Sequence, residues 1–186
     1  MNTTEYARTI VDELSSTLGK ISPEQSEQLV DMILSAKKIL LAGAGRSGFA
    51  VKAFAMRLMH MGFDAYVVGE TVTPNLEQED LLIIGTGSGE TLSLIAMAQK
   101  AKKIGSKLST VTIRPESPIG VLADIAVAIP APTPKADVDT RFRSIQPMGS
   151  LFEQSLLLYF DAIILRLMER QGNNSDTMFT RHANLE

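Results

Sequence analysis

The sequence predicts an α/β protein with a doubly wound, flavodoxin-like sheet of five parallel strands, and three observations support this. Short apolar runs at 38–42 (KILLA), 81–84 (LLII) and 125–129 (IAVAI) are typical of strands buried on both faces. Helical patterns separate the runs, and this alternation builds parallel βαβ units. Two glycine-rich loops each lie between a strand and a helix, at the sheet edge where ligands bind in such folds.

The remaining elements follow from periodicity and from glycine and proline positions. The predicted strands are 38–42, 65–68, 81–84, 108–113 and 125–129. The predicted helices lie within 2–35, interrupted at Ser22-Pro23, and at 47–61, 90–104, 118–123 and 150–171. We expect one domain over 1–186, with N-terminal helices in 1–35, the sheet core and last helix in 36–171, and a polar tail in 172–186.

Composition excludes several classes of function. The chain has 186 residues, a net charge of −3 and no cysteine, so disulfides, thiolate metal sites and a cysteine nucleophile are ruled out. A mildly acidic chain with scattered lysines is a poor nucleic-acid binder, and no apolar run is long enough to span a membrane. Only His60 and His182 could supply imidazole. We therefore expect a cytoplasmic protein without a metal or cofactor.

The first glycine-rich loop is Gly43-Ala44-Gly45-Arg46-Ser47-Gly48. Glycines let a ligand approach the backbone, and the free N–H groups of the following helix favour an anion. Ser47 either contacts that ligand or merely caps the helix, and Arg46 either pairs with phosphate or faces solvent. The loop also matches the dinucleotide pattern G-x-G-x-x-G, but Asp64 and Glu70 are poorly placed to be its acidic partner.

The second loop is Gly85-Thr86-Gly87-Ser88-Gly89-Glu90-Thr91. Its backbone N–H groups and the hydroxyls of Thr86, Ser88 and Thr91 can surround a phosphate monoester at the helix start. It lacks the G-K-[ST] ending of a P-loop, so nucleotide hydrolysis is not indicated. Glu90 is interpreted as structural, because a carboxylate beside a phosphate is repulsive unless it is turned away.

A strand ending in G-x-G-x-S and a second ending in an S-G-E-T loop resemble the SIS (sugar isomerase) fold, whose members bind phosphorylated sugars. The segments P-M-G-S-L-F-E (147–153) and R-H-A-N-L-E (181–186) extend the resemblance to the 6-phospho-3-hexuloisomerase family over nearly the whole chain. The resemblance implies phosphate binding by Thr86, Gly87, Ser88, Gly89 and Thr91, with Ser47 reaching the phosphate or the sugar hydroxyls.

The implied reaction converts D-arabino-3-hexulose 6-phosphate to fructose 6-phosphate through an enediolate, which needs one positioned base. The resemblance assigns that base to Glu153, although Ser150-x-x-Glu153 is also the pattern of a capping box. His182 is either a solvated tail residue or a second catalytic group near a neighbouring subunit's site. His60 ends a predicted helix, where the negative end of the helix dipole suits an imidazole.

The long segment 130–149 and the last helix suggest an oligomer. Loops of this length usually serve a site or an interface, and Arg141 and Arg143 are candidate interface residues. The last helix is apolar on most sides, as expected for a helix buried on two faces. The resemblance implies a homotetramer. The competing hypotheses are a non-catalytic phosphosugar sensor, an isomerase for arabinose 5-phosphate or sedoheptulose 7-phosphate, and a nucleotide-binding oxidoreductase.

Overall fold

The computed structural model describes residues 1–132 and 143–185. Those ranges contain the helices α1 (Thr3–Leu18), α2 (Pro23–Ser35), α3 (Gly45–Met61), α4 (Leu92–Ile104), α5 (Pro118–Leu122), α6 (Ser150–Gln171) and α7 (Ser175–Phe179). They also contain the strands β1 (Ile39–Gly43), β2 (Ala65–Val67), β3 (Leu81–Gly85), β4 (Lys107–Thr112) and β5 (Ile125–Ala128). The predicted α/β class, with extra helices before and after the sheet, is confirmed.

The five strands are parallel and lie in the order β2-β1-β3-β4-β5. The chain leaves β1 toward one edge of the sheet to form β2, then returns to the other side of β1 to form β3. The order therefore reverses between β1 and β3, whose last residues, Gly43 and Gly85, are register partners. Both glycine-rich loops thus begin side by side at the switch point, where ligands bind in doubly wound sheets.

Alternating strand side chains divide the core into two layers. Leu41 and Ile83 face the layer that contains α2, α3 and α6, while Leu40 and Leu82 face the layer that contains α4 and α5. In the first layer the rings of Phe54 on α3 and Phe160 on α6 stack with centroids 4.2 Å apart. This stacking packs the middle of α6 against the middle of α3.

Several element boundaries differ from the prediction by one or two residues. Helices α3 and α4 begin at Gly45 and Leu92 rather than at residues 47 and 90, since Ala44 and Thr91 occupy the capping positions. The polar tail contains the short helix α7, whose Met178 packs against the core. Across the described ranges, no helix combines the length and apolar character needed to cross a membrane.

Candidate active site

A cavity of about 340 Å³ opens at the switch point, between the two glycine-rich loops and the start of α6. This volume lies in the range of small-molecule sites. Most of the predicted site residues line it: Arg46, Ser47, Thr86, Gly87, Ser88, Thr91 and Glu153. Gly89 and His182 do not. The structure therefore brings together residues that are up to 107 positions apart in the sequence.

The glycines of the first loop permit close contact between β1 and α3. A Cβ atom on Gly48 would lie 2.9 Å from the carbonyl oxygen of Gly43, which leaves no room for a side chain. Gly45 has a φ of 57°, a value that favours glycine. The interpretation of Ser47 as a helix cap is wrong, because Ala44 is the cap and Ser47 is a buried residue within α3. The Ser47 hydroxyl is thereby carried to the cavity wall.

Internal hydrogen bonds brace the second loop. The Thr86 hydroxyl accepts the Gly89 N–H at 3.2 Å, and the Ser88 hydroxyl accepts the Glu90 N–H at 3.2 Å. Because both hydroxyls act as acceptors here, their protons remain available for a ligand. Gly89 has a φ of 66°, and a side chain there would collide with the Ser117 hydroxyl. Gly89 therefore shapes the loop without lining the cavity.

Helix capping separates the helices that open on the cavity from all the others described. Side chains cap α1, α2, α5 and α7, and the capping residues are Asn2, Ser22, Ser117 and Asn174. No side chain caps the remaining three helices, α3, α4 and α6, whose capping positions are Ala44, Thr91 and Gly149. Their first N–H groups and positive dipole ends are left for an anion.

Glu153 lies on the first turn of α6 and is paired with Arg46. The Arg46 Nε donates to Glu153 Oε2 at 2.6 Å. The capping-box interpretation is wrong, since Gly149 occupies the capping position of α6 and no side-chain hydrogen bond caps this helix. The Glu153 side chain is 20% exposed and that of Arg46 is 62% exposed. A largely covered carboxylate thus faces the cavity beside a solvent-exposed cation.

A model of the SIS domain family matches residues 32–158 of the chain. This chain belongs to the SIS domain family. It is 55% identical to the 3-hexulose-6-phosphate isomerase of Bacillus subtilis (strain 168) over 186 residues, which is 100% of each chain. It is 41% identical to the enzyme of the same name from Mycobacterium gastri over 175 residues, covering 94% of this chain and 87% of that one.

A crystal structure of a Methanococcus jannaschii protein, for which the function of 3-hexulose-6-phosphate isomerase was inferred, has the same fold. It matches with a TM-score of 0.80 and 34% sequence identity over 97% of each chain. The predicted resemblance to the SIS fold and to this subfamily is confirmed.

In this member of the SIS family His182 lies at the far end of α3 from the cavity. Its ring stacks on His60, with centroids 5.4 Å apart, and on Phe179, with centroids 5.6 Å apart. Helix α3 has 17 residues, so its two ends are about 24 Å apart. His182 therefore cannot meet Glu153 of its own chain, and its catalytic role remains a prediction about a neighbouring subunit.

His60 is buried in the last turn of α3. Burial lowers the pKa of its imidazole below the ordinary value, and the neighbouring Arg57 and His182 lower it further. The Arg57 Nη1 lies 3.3 Å from the His60 Nδ1. The helix dipole alone would favour a protonated ring, as the sequence suggested, but these surroundings favour the neutral ring instead.

The other charged candidates lie outside the cavity lining. Glu90 accepts a hydrogen bond from Arg114 Nη1 at 3.0 Å, in agreement with a structural role. Neither Asp64 nor Glu70 lines the cavity, so the dinucleotide interpretation gains no support. Nowhere in residues 1–132 and 143–185 do three or more His, Asp or Glu side chains come close enough to hold a metal ion.

Sequence reasoning missed the apolar wall of the cavity, formed by Ile113, Met148 and Phe152. Met148 has a φ of 55°, a left-handed conformation that costs a residue with a side chain about 1–2 kcal/mol. Strain of this kind often accompanies functional sites, but no sequence signal marks it here. Arg143 is exposed, and Arg141 lies outside the described residues.

Proposed function

We propose that this protein is an isomerase that converts D-arabino-3-hexulose 6-phosphate to fructose 6-phosphate. The observation that carries the proposal is the position of Glu153, a carboxylate on the wall of a cavity into which three uncapped helices open. The names of the relatives that align over the whole chain agree with this substrate. No nucleic acid, membrane or redox cofactor enters the reaction.

The phosphate of the substrate binds at the second loop. The N–H groups at the start of α4 point at the phosphate, and the Thr86, Ser88 and Thr91 hydroxyls donate to its oxygens. Gly87 presents its backbone without a side chain in the way. Ser47, on the opposite wall, donates to a phosphate or sugar oxygen. This arrangement leaves the sugar carbons directed toward α6.

Glu153 removes the proton from C2, next to the C3 carbonyl of the substrate. The electrons shift to the carbonyl oxygen and give a 2,3-enediolate. The hydroxyl proton of O2 passes to O3, and C3 takes back the proton that Glu153 removed as O2 becomes the new carbonyl oxygen. A positioned base of this kind contributes about 10²–10⁴-fold to the rate. No atom is gained or lost, so no co-reactant is required.

Arg46 holds the base until substrate arrives. The short Arg46–Glu153 ion pair fixes the position of the carboxylate on the cavity wall. The substrate phosphate or the developing enediolate attracts the exposed guanidinium away from Glu153, which frees the carboxylate and places a cation beside the new oxyanion. Arg46 therefore acts on the reacting oxygens as well as on the base.

The test compares wild-type protein with Glu153→Gln on freshly prepared D-arabino-3-hexulose 6-phosphate, with fructose 6-phosphate measured by a coupled assay. We expect kcat to fall by about a hundredfold or more, because the amide cannot accept the proton. The melting temperature should change little, since Glu153 neither caps α6 nor packs in the core.

Glu169→Gln is the matched control, because Glu169 is an exposed carboxylate near the other end of α6. It should keep wild-type turnover. Persistent turnover in folded Glu153→Gln would remove Glu153 as the base. Absence of wild-type turnover, with phosphosugar still bound, would favour a sensor or an isomerase for another phosphosugar.

We further propose that the protein is a cytoplasmic homotetramer in which the tail of one subunit contributes to the active site of another. An apolar groove between α3 and α6 begins at Arg46 and Glu153 and is lined by the exposed Phe49 and the half-exposed Leu157. Leu165 on α6 is also exposed. A second subunit would cover this surface, and the number four comes from the family resemblance. Light scattering that gives a monomer at micromolar concentration would contradict it.

The substrate defines the setting of the enzyme. A 3-ketohexose 6-phosphate is the product of joining formaldehyde to ribulose 5-phosphate, so the protein would act in the ribulose monophosphate route of formaldehyde fixation or detoxification. A chain without cysteine suits the cytoplasm, where thiols stay reduced and structural disulfides are rare. In cells that contain the enzyme, its loss should therefore raise sensitivity to formaldehyde.

A further inference from the structure

Helix α1 carries a buried carboxylate that the proposed reaction does not use. Glu13 is only 7% exposed, and the other buried residue of this helix is Thr17. Buried carboxylates are rare unless they are paired or fully hydrogen-bonded. Within the described ranges no salt bridge joins Glu13 to a cation, and its hydrogen-bond partners there are neutral groups.

Three hydrogen bonds compensate for its charge, and all come from one segment more than 130 residues away. The Ser144 hydroxyl donates to Glu13 at 2.7 Å, the Ile145 N–H at 2.8 Å and the Gln146 side-chain amide at 2.9 Å. Burial alone would raise the pKa of the Glu13 carboxyl, but these hydrogen bonds outweigh it and hold the pKa below its ordinary value. The carboxylate therefore stays ionised and binds the segment as an anchor.

The anchored segment leads directly into the cavity wall. Met148 and Gly149, which line the cavity, follow it within a few residues, and α6 then begins. The Gln146 side chain makes a second contact, since its oxygen accepts the Gln154 side-chain amide at 2.8 Å. Gln154 is the neighbour of Glu153, so Glu13 is linked through one residue to the turn that carries the base.

A purely structural contact would not need a charge at this place. Isolated buried carboxylates are costly, and apolar packing between α1 and the segment would hold them together without that cost. A carboxylate adds direction, because its two oxygens fix a hydroxyl, a backbone N–H and an amide at the same time. A buried carboxylate at Glu13 therefore suits the precise positioning of the segment 144–146 better than it suits a gain in stability.

We propose that Glu13 is a positioning residue for the isomerase, which holds 144–146 so that Met148, Gly149 and Glu153 keep their places around the substrate. The proposal rests on the function proposed above. It assigns a catalytic consequence to a helix that does not reach the cavity lining.

The test is Glu13→Gln, with the neighbouring exposed carboxylate changed by Asp12→Asn as the matched control. The amide has one acceptor oxygen and turns an N–H₂ group toward donors, so the anchor is lost. We expect kcat, corrected for the folded fraction, to fall about tenfold to a hundredfold, as for a displaced catalytic group. KM should change less than about threefold, because the second glycine-rich loop, where the phosphate is proposed to bind, does not contact Glu13 or the segment 144–146 through the hydrogen bonds described above. Asp12→Asn should match wild type.

A reciprocal exchange separates positioning from general damage. In Glu13→Gln/Gln146→Glu the amide introduced on α1 donates to the new carboxylate, which still accepts from Gln154, while the oxygen of that amide accepts the Ile145 N–H. This double variant should recover most of the lost kcat. Wild-type kcat in Glu13→Gln, or no recovery in the double variant, would overturn the proposal.

Hydrogen exchange tests the anchor without relying on the reaction. Residues 144–153 should exchange faster in Glu13→Gln than in wild type or in Asp12→Asn. Unchanged exchange would overturn the anchor even if the protein proves to be an isomerase. Faster exchange in a wild-type background that shows no turnover would support the anchor and refute the proposed function, so the two failures are distinguishable.

Discussion

The two ends of helix α3 differ in how they are capped. At its start Ala44 provides no side-chain cap, Arg46 extends to Glu153, and Ser47 lines the cavity. At its end Gly62 adopts a left-handed conformation with φ 94°, and its N–H bonds to two carbonyls of the last turn. The start of α3 leaves its first backbone N–H groups without a side-chain cap, whereas a backbone hydrogen bond from Gly62 satisfies carbonyl groups at its end.

The charges follow the same division. The Arg181 guanidinium packs against Gly62 and lies 3.5 Å from the His60 carbonyl oxygen, where a cation complements the negative end of the helix dipole. The start of the helix offers the positive end, which suits a phosphorylated substrate. A helix end left open among helices that are otherwise capped thus indicates a site more specifically than the glycine pattern does.

The largest expected effect is on kcat, and it tests the role of His182. This residue either only packs at the end of α3 in its own chain or also serves the cavity at the start of α3 in a neighbouring subunit. If the tail serves a neighbouring site, His182→Gln should lower kcat by about a hundredfold or more. Mixed oligomers formed by co-expression of His182→Gln and Glu153→Gln chains should then regain roughly a quarter of wild-type turnover, because each intact group comes from half of the subunits.

The control for this experiment is a mixture of the two purified variants that have not exchanged subunits, which should stay inactive. If His182→Gln keeps wild-type kcat, His182 only helps the tail pack on His60, and the two ends of α3 are functionally separate. If turnover is lost but mixed oligomers do not recover, both groups must come from the same chain, and the tail would have to leave the position it occupies here.

Sequence reasoning succeeded where local chemistry decides the structure. Apolar runs located the five strands, and the glycine loops located the cavity, because the topology of a parallel sheet brings strand ends together. It located the start of α6 at Ser150 but placed the start of α3 at residue 47 instead of Gly45. The alternative capping roles of Ser47 and Ser150 are wrong, because Ala44 and Gly149 occupy the capping positions. A cap depends on the path of the incoming chain, which local sequence does not determine.

Long-range pairs were also beyond prediction. The Arg46–Glu153 pair joins residues 107 positions apart, and the Glu13 anchor joins residues more than 130 apart. Both depend on how α6 packs against α3 and α1, which is set by many small apolar contacts rather than by a motif. The assignment of Glu153 as a base came from family resemblance, whereas bare spacing favoured a cap.

A new cap at the open end provides a second, smaller test. Ala44 has extended backbone angles, φ −120° and ψ 151°, that suit a capping serine. In Ala44→Ser the hydroxyl should accept an N–H of the first turn and raise the free energy of unfolding by about 0.5–2 kcal/mol. The same bond occupies a donor meant for substrate, so KM should rise a few-fold. Urea unfolding and steady-state kinetics measure the two effects.

Ser22→Ala is the opposite change on a helix that does not reach the cavity. It removes the hydrogen bond from Gln25 N–H to the Ser22 hydroxyl, so stability should fall by about 0.5–2 kcal/mol while KM stays constant. If Ala44→Ser stabilises the protein without changing KM, the free donors of α3 do not contact the substrate. The contrast between open and capped helices would then rest on α4 and α6 alone.

The smallest effect is expected at the closed end, where pH acts on His60. Burial, together with Arg57 and His182, lowers the pKa of this ring in the folded protein, while an unfolded histidine titrates near about 6.5. Below that pH the unfolded chain binds a proton that the folded chain resists. The contribution of His60 to stability is therefore complete above about pH 6.5 and declines as the pH falls, by at most about 1.4 kcal/mol per pH unit.

The measurement is urea unfolding of wild type and His60→Gln between about pH 8 and pH 5, because groups common to both proteins cancel in the difference. The free energy of unfolding of wild type should exceed that of His60→Gln by less as the pH falls. At the acid end of this range, the amide protons of the tail should exchange faster in wild type than in His60→Gln. An advantage that grows toward acid pH would mean that the helix dipole outweighs burial and that His60 is held as a cation. In that case both ends of α3 would be stabilised by charge, and only the missing cap would distinguish them.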